Sequence, residues 1–318
     1  MGKDEYWRML AAVALVAALA YGCAGQSAVD HGGDLVSKEG QIAFMRATDL
    51  NPPDIETDIY ITNVDGTGER RLTNSPGLDG FPTWSPDGER IAFATDRAGG
   101  GNWELYVMDS DGRHQRRLTN TPQQKEAVPA WSSDGKYIAY VADIFGDNPT
   151  IWVMNADSSE RRQLTTRASW PSWSPDGQRI IYTVYTGTGV GRLFVVDAEG
   201  SERRRLAGSL IRRLTDTADG EEPAWSPDGE RIAFSSNVGM DNAEIFAMNS
   251  DGSDRTRLTN IPGHDHWPPT WSPDSSRIAF TSDGTKGKGE IYMMNADGSG
   301  LTKLTDNPAD DAFPAWRP

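Results

Sequence analysis

Three sets of side chains in this sequence have types and spacings that could do chemistry. The first is Gly-His-Asp-His-Trp, where His264 and His266 flank Asp265. Two imidazoles and a carboxylate are ligands that a divalent metal accepts. The other histidines, His31 and His114, lie far away in sequence, so His264 and His266 are only weak metal candidates and an exposed polar loop is the preferred reading. The second set is a series of acids standing five or six residues before a recurring Trp: Asp79, Glu126, Asp219, Asp265, Asp310 and Asp311, with Glu221 and Glu222 extending the site that begins at Asp219. Phe81, Trp170, Trp267 and Phe313 are interleaved with them. If these acids converge, they focus a negative potential that attracts a cation or a basic peptide, and aromatic neighbours match the composition of interface anchors. Solubilised loops, with the aromatics packed inside, are the alternative. The third is Cys23, the single cysteine, placed directly after an apolar run. One cysteine can make no internal disulfide. Gly-x-Ser-x-Gly, His-Glu-x-x-His and P-loop motifs are all absent, so no catalytic residue is assigned.

The elements that must position these residues come from a repeat. Phe-Pro-Thr-Trp-Ser-Pro-Asp-Gly-Glu-Arg-Ile-Ala-Phe, residues 81–93, returns in variant form around Trp131, Trp173, Trp225 and Trp271, and Phe-Pro-Ala-Trp ends at Trp316. A second motif, such as Glu-Leu-Tyr-Val-Met-Asp-Ser-Asp-Gly at 104–112, and a third ending in Leu-Thr alternate with it. Each occurs six times, with a period of about 45 residues, the mark of a propeller blade with four strands. Pro-x-Trp-Ser is the first strand, Arg-Ile-Ala-Phe the second, Ile-Tyr-x-Met-Asn the third and Arg-x-Leu-Thr the fourth. Ser-Pro-Asp-Gly supplies a turn in which Pro presets φ and Gly takes a positive value. The Pro two before each Trp suits an edge strand, here the one facing the axis. Asp58, Glu104, Glu244 and Glu290 begin third strands near the acidic loops, where they either add to that mouth or bond neighbouring backbone. Basic residues crowd the fourth strands, as at Arg70, Arg71, Arg116 and Arg117, a pattern read as protection of an outer edge. The first repeat starts at its second strand, residues 40–44, and the last ends on an unpartnered first strand. The expected fold is therefore an all-β, six-bladed propeller of four-stranded antiparallel blades, residues 39–318, closed by pairing of its C-terminal and N-terminal strands.

The chain of 318 residues carries 31 Lys and Arg against 46 Asp and Glu, a formal net charge of −15. That balance argues against nucleic acid, whose phosphates demand the opposite sign. Residues 1–22, with Lys3 and Arg8 before the apolar run 9–20, have the layout of a secretory signal. Leu-Ala-Tyr-Gly-Cys resembles a bacterial lipobox, which implies lipidation of Cys23; residues 23–38 read as a flexible tether.

The Trp-Ser-Pro-Asp-Gly, Ile-Tyr-x-Met-Asn and Leu-Thr elements resemble the repeats of the TolB-like, WD40-like (PD40) propeller family. The resemblance implies a propeller that binds other proteins of the cell envelope. TolB proteins carry a further α/β domain ahead of the propeller, and this chain, whose tether runs almost directly into the first blade, is expected to lack it. The overall expectation is an exported, extracytoplasmic, lipid-anchored monomer, non-enzymatic and without a required cofactor, that binds a basic envelope protein or peptide at the acidic, aromatic-edged mouth of its channel. A channel-bound divalent cation such as Ca²⁺ is compatible with those oxygen ligands. The alternative is a carbohydrate-binding or oligosaccharide-lyase-type propeller that uses the mouth aromatics with His264 and His266.

Overall fold

A computed structural model describes residues 40–49, 56–99, 101–185, 191–198, 212–215, 220–236, 242–261, 265–284 and 288–318, with the backbone alone for Thr48, Asp49, Arg212, Asp265, His266 and Trp267. The leader, the tether, Cys23, Asp219 and His264 lie outside the described residues.

Each repeat folds as its pattern predicts, because period-two apolar runs bounded by Asp-Gly turns fit a sheet and little else. In chain order the strands are β1 (Gln41–Asp49), β2 (Glu56–Asn63) and β3 (Arg70–Arg71); β4 (Asp79–Trp84), β5 (Arg90–Thr95), β6 (Glu104–Asp109) and β7 (Arg116–Arg117); β8 (Glu126–Trp131), β9 (Tyr137–Ala142), β10 (Thr150–Asn155) and β11 (Arg162–Thr166); β12 (Ala168–Trp173), β13 (Arg179–Tyr185), β14 (Gly191–Asp197) and β15 (Arg212–Arg213); β16 (Glu221–Trp225), β17 (Arg231–Ser236), β18 (Glu244–Asn249) and β19 (Thr256–Arg257); β20 (Asp265–Trp271), β21 (Arg277–Ser282), β22 (Glu290–Asn295) and β23 (Thr302–Lys303); and finally β24 (Asp311–Trp316). They form six antiparallel sheets of four strands. Blade 1 has the order β24-β1-β2-β3, and blades 2 to 6 follow the chain. The expected closure is present: Ile42 faces Trp316, Ala43 faces Ala315 and Arg46 faces Asp311 across β1 and β24. Arg317 then bridges onward, donating from Nη2 to the Gly88 carbonyl of blade 2 at 2.6 Å.

The repeated residues hold blade to blade. Ile59, Ile61 and Leu72 of blade 1 pack on Trp84, Ile91 and Phe93 of blade 2, all less than a tenth exposed. The Leu of each Leu-Thr pair is thus a filler between blades. The Trp indoles also tie blades together: Trp84 Nε1 donates to the Ala315 carbonyl at 3.1 Å, Trp173 to Ala130 at 3.0 Å and Trp271 to Ala224 at 3.1 Å. A guanidinium lies on each of several of these indoles, as Arg90 does over Trp131 at 4.9 Å and Arg317 over Trp84 at 4.8 Å. The second-motif turns press so closely on the preceding blade that a Cβ at Gly112 (φ 90°) would stand 2.7 Å from the Leu72 carbonyl oxygen. Only glycine fits there.

Candidate functional site

The six innermost strands leave an axial channel of about 520 Å³. Its wall is built from the repeat itself: prolines such as Pro82 and Pro171, the Trp residues, and the small Thr83, Ala130, Ser172, Ala224, Thr270 and Ala315 between them. Among the described residues no Asp, Glu, Lys, Arg or His lines it. At one end the Ser-Pro turns form the rim, and Pro86 and Pro175 are half-buried while Pro227, Pro273 and Pro318 are exposed. That end is open.

The opposite end is filled. Phe81 and Phe313 have ring centroids 4.5 Å apart, and each lies 6.0 Å from Trp170. Blades 1 and 4, which supply Phe313 and Trp170, are opposite one another in a six-blade ring, so rings in contact across that distance meet on the axis. Their exposures of 6%, 3% and 6% show that they seal it. Backbone geometry sends them there. The pairing of β4 with β5 skips a residue between Gly80 and Thr83, a β-bulge; the same irregularity recurs in the inner strands of blades 1, 3, 4 and 5, and in blade 6 two residues are skipped between His266 and Thr270. The bulged residue has φ of 54° at Phe81, 54° at Val128, 57° at Trp170, 54° at Glu222 and 56° at Phe313. A positive φ is unfavourable for any of these side chains and most of all for β-branched Val128. It turns Phe81, Val128, Trp170 and Phe313 out of the alternation of their strands and toward the axis, whereas the Glu222 carboxylate accepts from Ser235 Oγ within its own blade. The blade-6 equivalent is Pro268, whose ring forbids that conformation.

The described acids Asp79, Glu126, Asp310, Asp311 and Glu222 are buried rather than displayed at this mouth, which corrects the sequence-based expectation for them. Asp79, Glu126 and Asp311 are fully buried. They sit inside their blades, where each meets a guanidinium. Arg97 Nη2 donates to Asp79 at 2.7 Å, and Arg161 pairs with Glu126. Arg46 donates to both Asp311 oxygens at 2.6 and 2.8 Å. The same guanidiniums cover the aromatic pair on the blade face, Arg46 over Phe44 and Tyr60, Arg97 over Phe93 and Tyr106, and Arg161 over Tyr140 and Trp152. These arginines come from different positions in their repeats, which is why no pattern revealed them. Asp310 is 6% exposed and accepts from the Gly289 N–H at 2.8 Å; Glu222 is 3% exposed and accepts from Ser235 Oγ at 3.2 Å. Glu221 is half-buried and accepts from the Gly191 N–H at 3.1 Å. The register places the backbone of Asp265 and His266 opposite Ser282 and Thr281, at the sealed end. Burial pushes the carboxyls of Glu126, Glu221 and Asp310 above the usual range, and Glu104 adds to the effect at Glu126 while Thr119, Thr121 and Arg161 oppose it. A charge without water or a partner is costly, so these acids are held as parts of the fold rather than displayed.

A second buried row of acids also belongs to the fold. Asp58, Glu104, Glu244 and Glu290 each accept from the Thr of a Leu-Thr pair, at 3.0, 2.7, 2.6 and 2.8 Å. Each Thr hydroxyl in turn accepts the next backbone N–H of the third strand, as Thr119 does from Leu105 at 2.9 Å. A fourth-strand base closes the relay: Arg71 on Asp58 at 2.5 Å, Arg117 on Glu104 at 2.6 Å, Arg257 on Glu244, and Lys303 on Glu290 at 3.2 Å. Part of the basic outer edge therefore turns inward. The signal was in the sequence, since acid and base stand thirteen positions apart in all four repeats (58 and 71, 104 and 117, 244 and 257, 290 and 303). Among the described residues no group of three or more His, Cys, Asp or Glu is placed to hold a metal ion.

Residues 47–213 and 215–318 match the TolB beta propeller domain, PD40. The chain belongs to that family. Tol-Pal system protein TolB of Bordetella pertussis is 47% identical over 45 residues, 14% of this chain and 10% of that protein. A TolB homolog of Chlorobium luteolum is 46% identical over 44 residues, again 10% of its length. The chain thus matches about a tenth of the length of these curated relatives. Among solved structures, TolB from Acinetobacter baumannii superposes with a TM-score of 0.75 over 88% of this chain and 67% of that one, at 21% identity. An oligogalacturonate lyase from Vibrio parahaemolyticus superposes with a TM-score of 0.55 over 80% of this chain and 72% of that one, at 14% identity. These two likenesses concern the TolB-type propeller fold alone, and the sealed, Trp-walled channel remains the site to explain.

Proposed function

We propose that this TolB-like propeller is a non-enzymatic binding module of the cell envelope, exported and lipid-anchored through Cys23, that receives an uncharged, apolar segment of an envelope protein at the open end of its channel. The observation that carries this reading is the chemistry of the channel wall. Proline and tryptophan surfaces with a few hydroxyls (Thr83, Ser133, Ser172, Ser174, Thr270) offer packing and weak hydrogen bonds, and none of them is a general acid, a general base or a metal ligand. A volume of about 520 Å³ lies in the range of ligand pockets, and a rigid, preformed wall lowers the entropic cost of ordering a guest. The basic partner expected from the acid ring is replaced by an uncharged one, because Asp79, Glu126 and Asp311 are buried against guanidiniums of their own blades. Export, an extracytoplasmic position and a monomeric state complete the proposal, and the protein names of the TolB relatives support an envelope role.

Ala130 and Ser172 are small, half-buried wall residues. Ala130→Arg places a bulky cation in the channel and keeps the backbone carbonyl that accepts from Trp173 Nε1 of the next blade, whereas Ser172→Arg also removes the hydroxyl that accepts from the Trp225 N–H at 3.1 Å. Photocrosslinking from position 172 in intact envelopes should yield one discrete protein adduct, lost in the Ala130→Arg background. The absence of any adduct from position 172, with a well-folded ring by circular dichroism, rejects the channel as the binding site. The lyase-type alternative turns on His264 and His266, and cleavage of an acidic oligosaccharide that disappears in His264→Ala/His266→Ala would decide for it.

A further inference from the structure

The row of buried acids at the starts of the third strands is interrupted in two blades, by Thr150 in blade 3 and by Arg192 in blade 4, and in blade 4 the interruption reverses the charge. Across blade 2 the register aligns Asp79 with Thr95 and Thr95 with Glu104. Across blade 1 it aligns Asp311, Arg46 and Asp58, and across blade 6 Asp265, Ser282 and Glu290. The same row in blade 4 reads Ala168, Val184 and Arg192. Both acid positions are lost, and a guanidinium stands where blades 1, 2, 5 and 6 place a carboxylate.

The rest of the relay is retained in blade 4. Thr215 is buried, and its Oγ accepts from the Leu193 N–H at 3.2 Å, as Thr119 does from Leu105. Arg213 faces Phe194 in the register that sets Arg117 opposite Tyr106. In blades 1, 2, 5 and 6 the equivalent Thr hydroxyl donates to a carboxylate. Arg192 itself is half-buried, and its Nε is enclosed by protein without a hydrogen-bond partner. Glu221, the described acid nearest this strand end, faces the Gly191 N–H and Tyr185 instead. A buried N–H of a guanidinium left unbonded is costly, and its natural complement is a planar carboxylate, which accepts two parallel N–H bonds.

We propose that blade 4 carries an anion seat, made by Arg192 with the Thr215 hydroxyl beside it, that takes a carboxylate supplied from outside the blade. The guest group supplies the acceptor that Asp58, Glu104, Glu244 and Glu290 supply to the Thr hydroxyl in their own blades. This seat lies at the start of a third strand, away from the channel wall, and is independent of the binding proposed there. Its guest is either a free carboxylic acid or an acidic side chain of a bound chain, and the chemistry of the contact is the same.

The full chain supplies the test. The Arg192 Nε–H resonance should shift saturably on addition of acetate at constant ionic strength, relative to chloride, and on addition of a hexaglutamate peptide at matched carboxylate concentration. A lower midpoint for the peptide assigns the seat to acidic chains, and equal midpoints assign it to free carboxylic acids. Arg192→Glu, which rebuilds the relay of blades 1, 2, 5 and 6, should keep the fold, abolish the carboxylate response of the remaining blade-4 resonances and leave the melting temperature unchanged or higher. No saturable shift in the parent chain, a response that persists in Arg192→Glu, or a marked drop in the melting temperature of Arg192→Glu overturns the proposal. Arg192→Gln, which keeps the length and removes the charge, should lose the response without rebuilding the relay.

Discussion

The two ends of the ring are made by the same repeat and are chemically opposite. At the sealed end, carboxylates such as Asp79, Glu126 and Asp311 are buried against guanidiniums beneath an aromatic plug. At the open end, the Asp of each Ser-Pro-Asp-Gly turn sits in water and accepts short local bonds; Asp228 takes Ser226 Oγ at 2.6 Å and the Glu230 N–H at 2.9 Å. The contrast shows that a net charge of −15 says little about where a protein presents negative potential. At one end acids serve as internal polar struts, and at the other they cap turns. Neither set faces into the channel.

Removing the plug should have the largest effect. Phe313 is 3% exposed and touches both Phe81 and Trp170, so Phe313→Ala should cost about 3–5 kcal/mol in urea denaturation, the usual range for emptying a buried phenyl site. A loss near zero would mean that the rings are not packed on the axis. Next comes the relay. Glu104 is fully buried and is held by Arg117, Thr119 and the Thr121 N–H. Glu104→Ala leaves those donors facing a void and should cost about 3 kcal/mol, with Glu104→Gln less severe. Equal stability of Glu104→Ala and the parent chain would remove the relay from the list of structural causes.

The ends should also answer pH with opposite sign. Burial raises the Glu126 carboxyl above its unfolded value of 4.5. A raised folded value means that the unfolded chain releases its proton first, so this contribution is complete below 4.5 and is lost as pH rises through the folded value. Stability measured from pH 4.5 upward should therefore fall less steeply in Glu126→Gln than in the parent chain. At the open end, bonds from Ser272 and from the hydroxyl and N–H of Ser276 pull Asp274 from 3.8 down to about 2. Its contribution is present above 3.8 and is lost as pH falls through about 2. Asp274→Asn should flatten the acid limb there while costing on the order of 1 kcal/mol or less at neutral pH, the smallest effect of the four. Parallel pH responses of the Glu126 and Asp274 variants would erase the contrast between the ends.

The blade count, the strand order, the closure through β24 and the axial position of the Pro-x-Trp strands were all legible in the sequence, because each follows from local periodicity, turn chemistry and proline's missing N–H. The Leu-Thr pairs were visible too, although their hydroxyl relay was not. What the tertiary structure alone decided is which end is open. Phe81 and Phe313 lie far apart in sequence and meet only because a bulge with positive φ redirects each toward a shared axis. The acids beside them were read as a display for the same reason: alternation along a strand cannot say that Arg46 and Arg97, from unlike positions in their repeats, will reach Asp311 and Asp79. Local chemistry sets the strands and turns, whereas the partner of a buried charge is fixed by distances across the ring that no single repeat encodes.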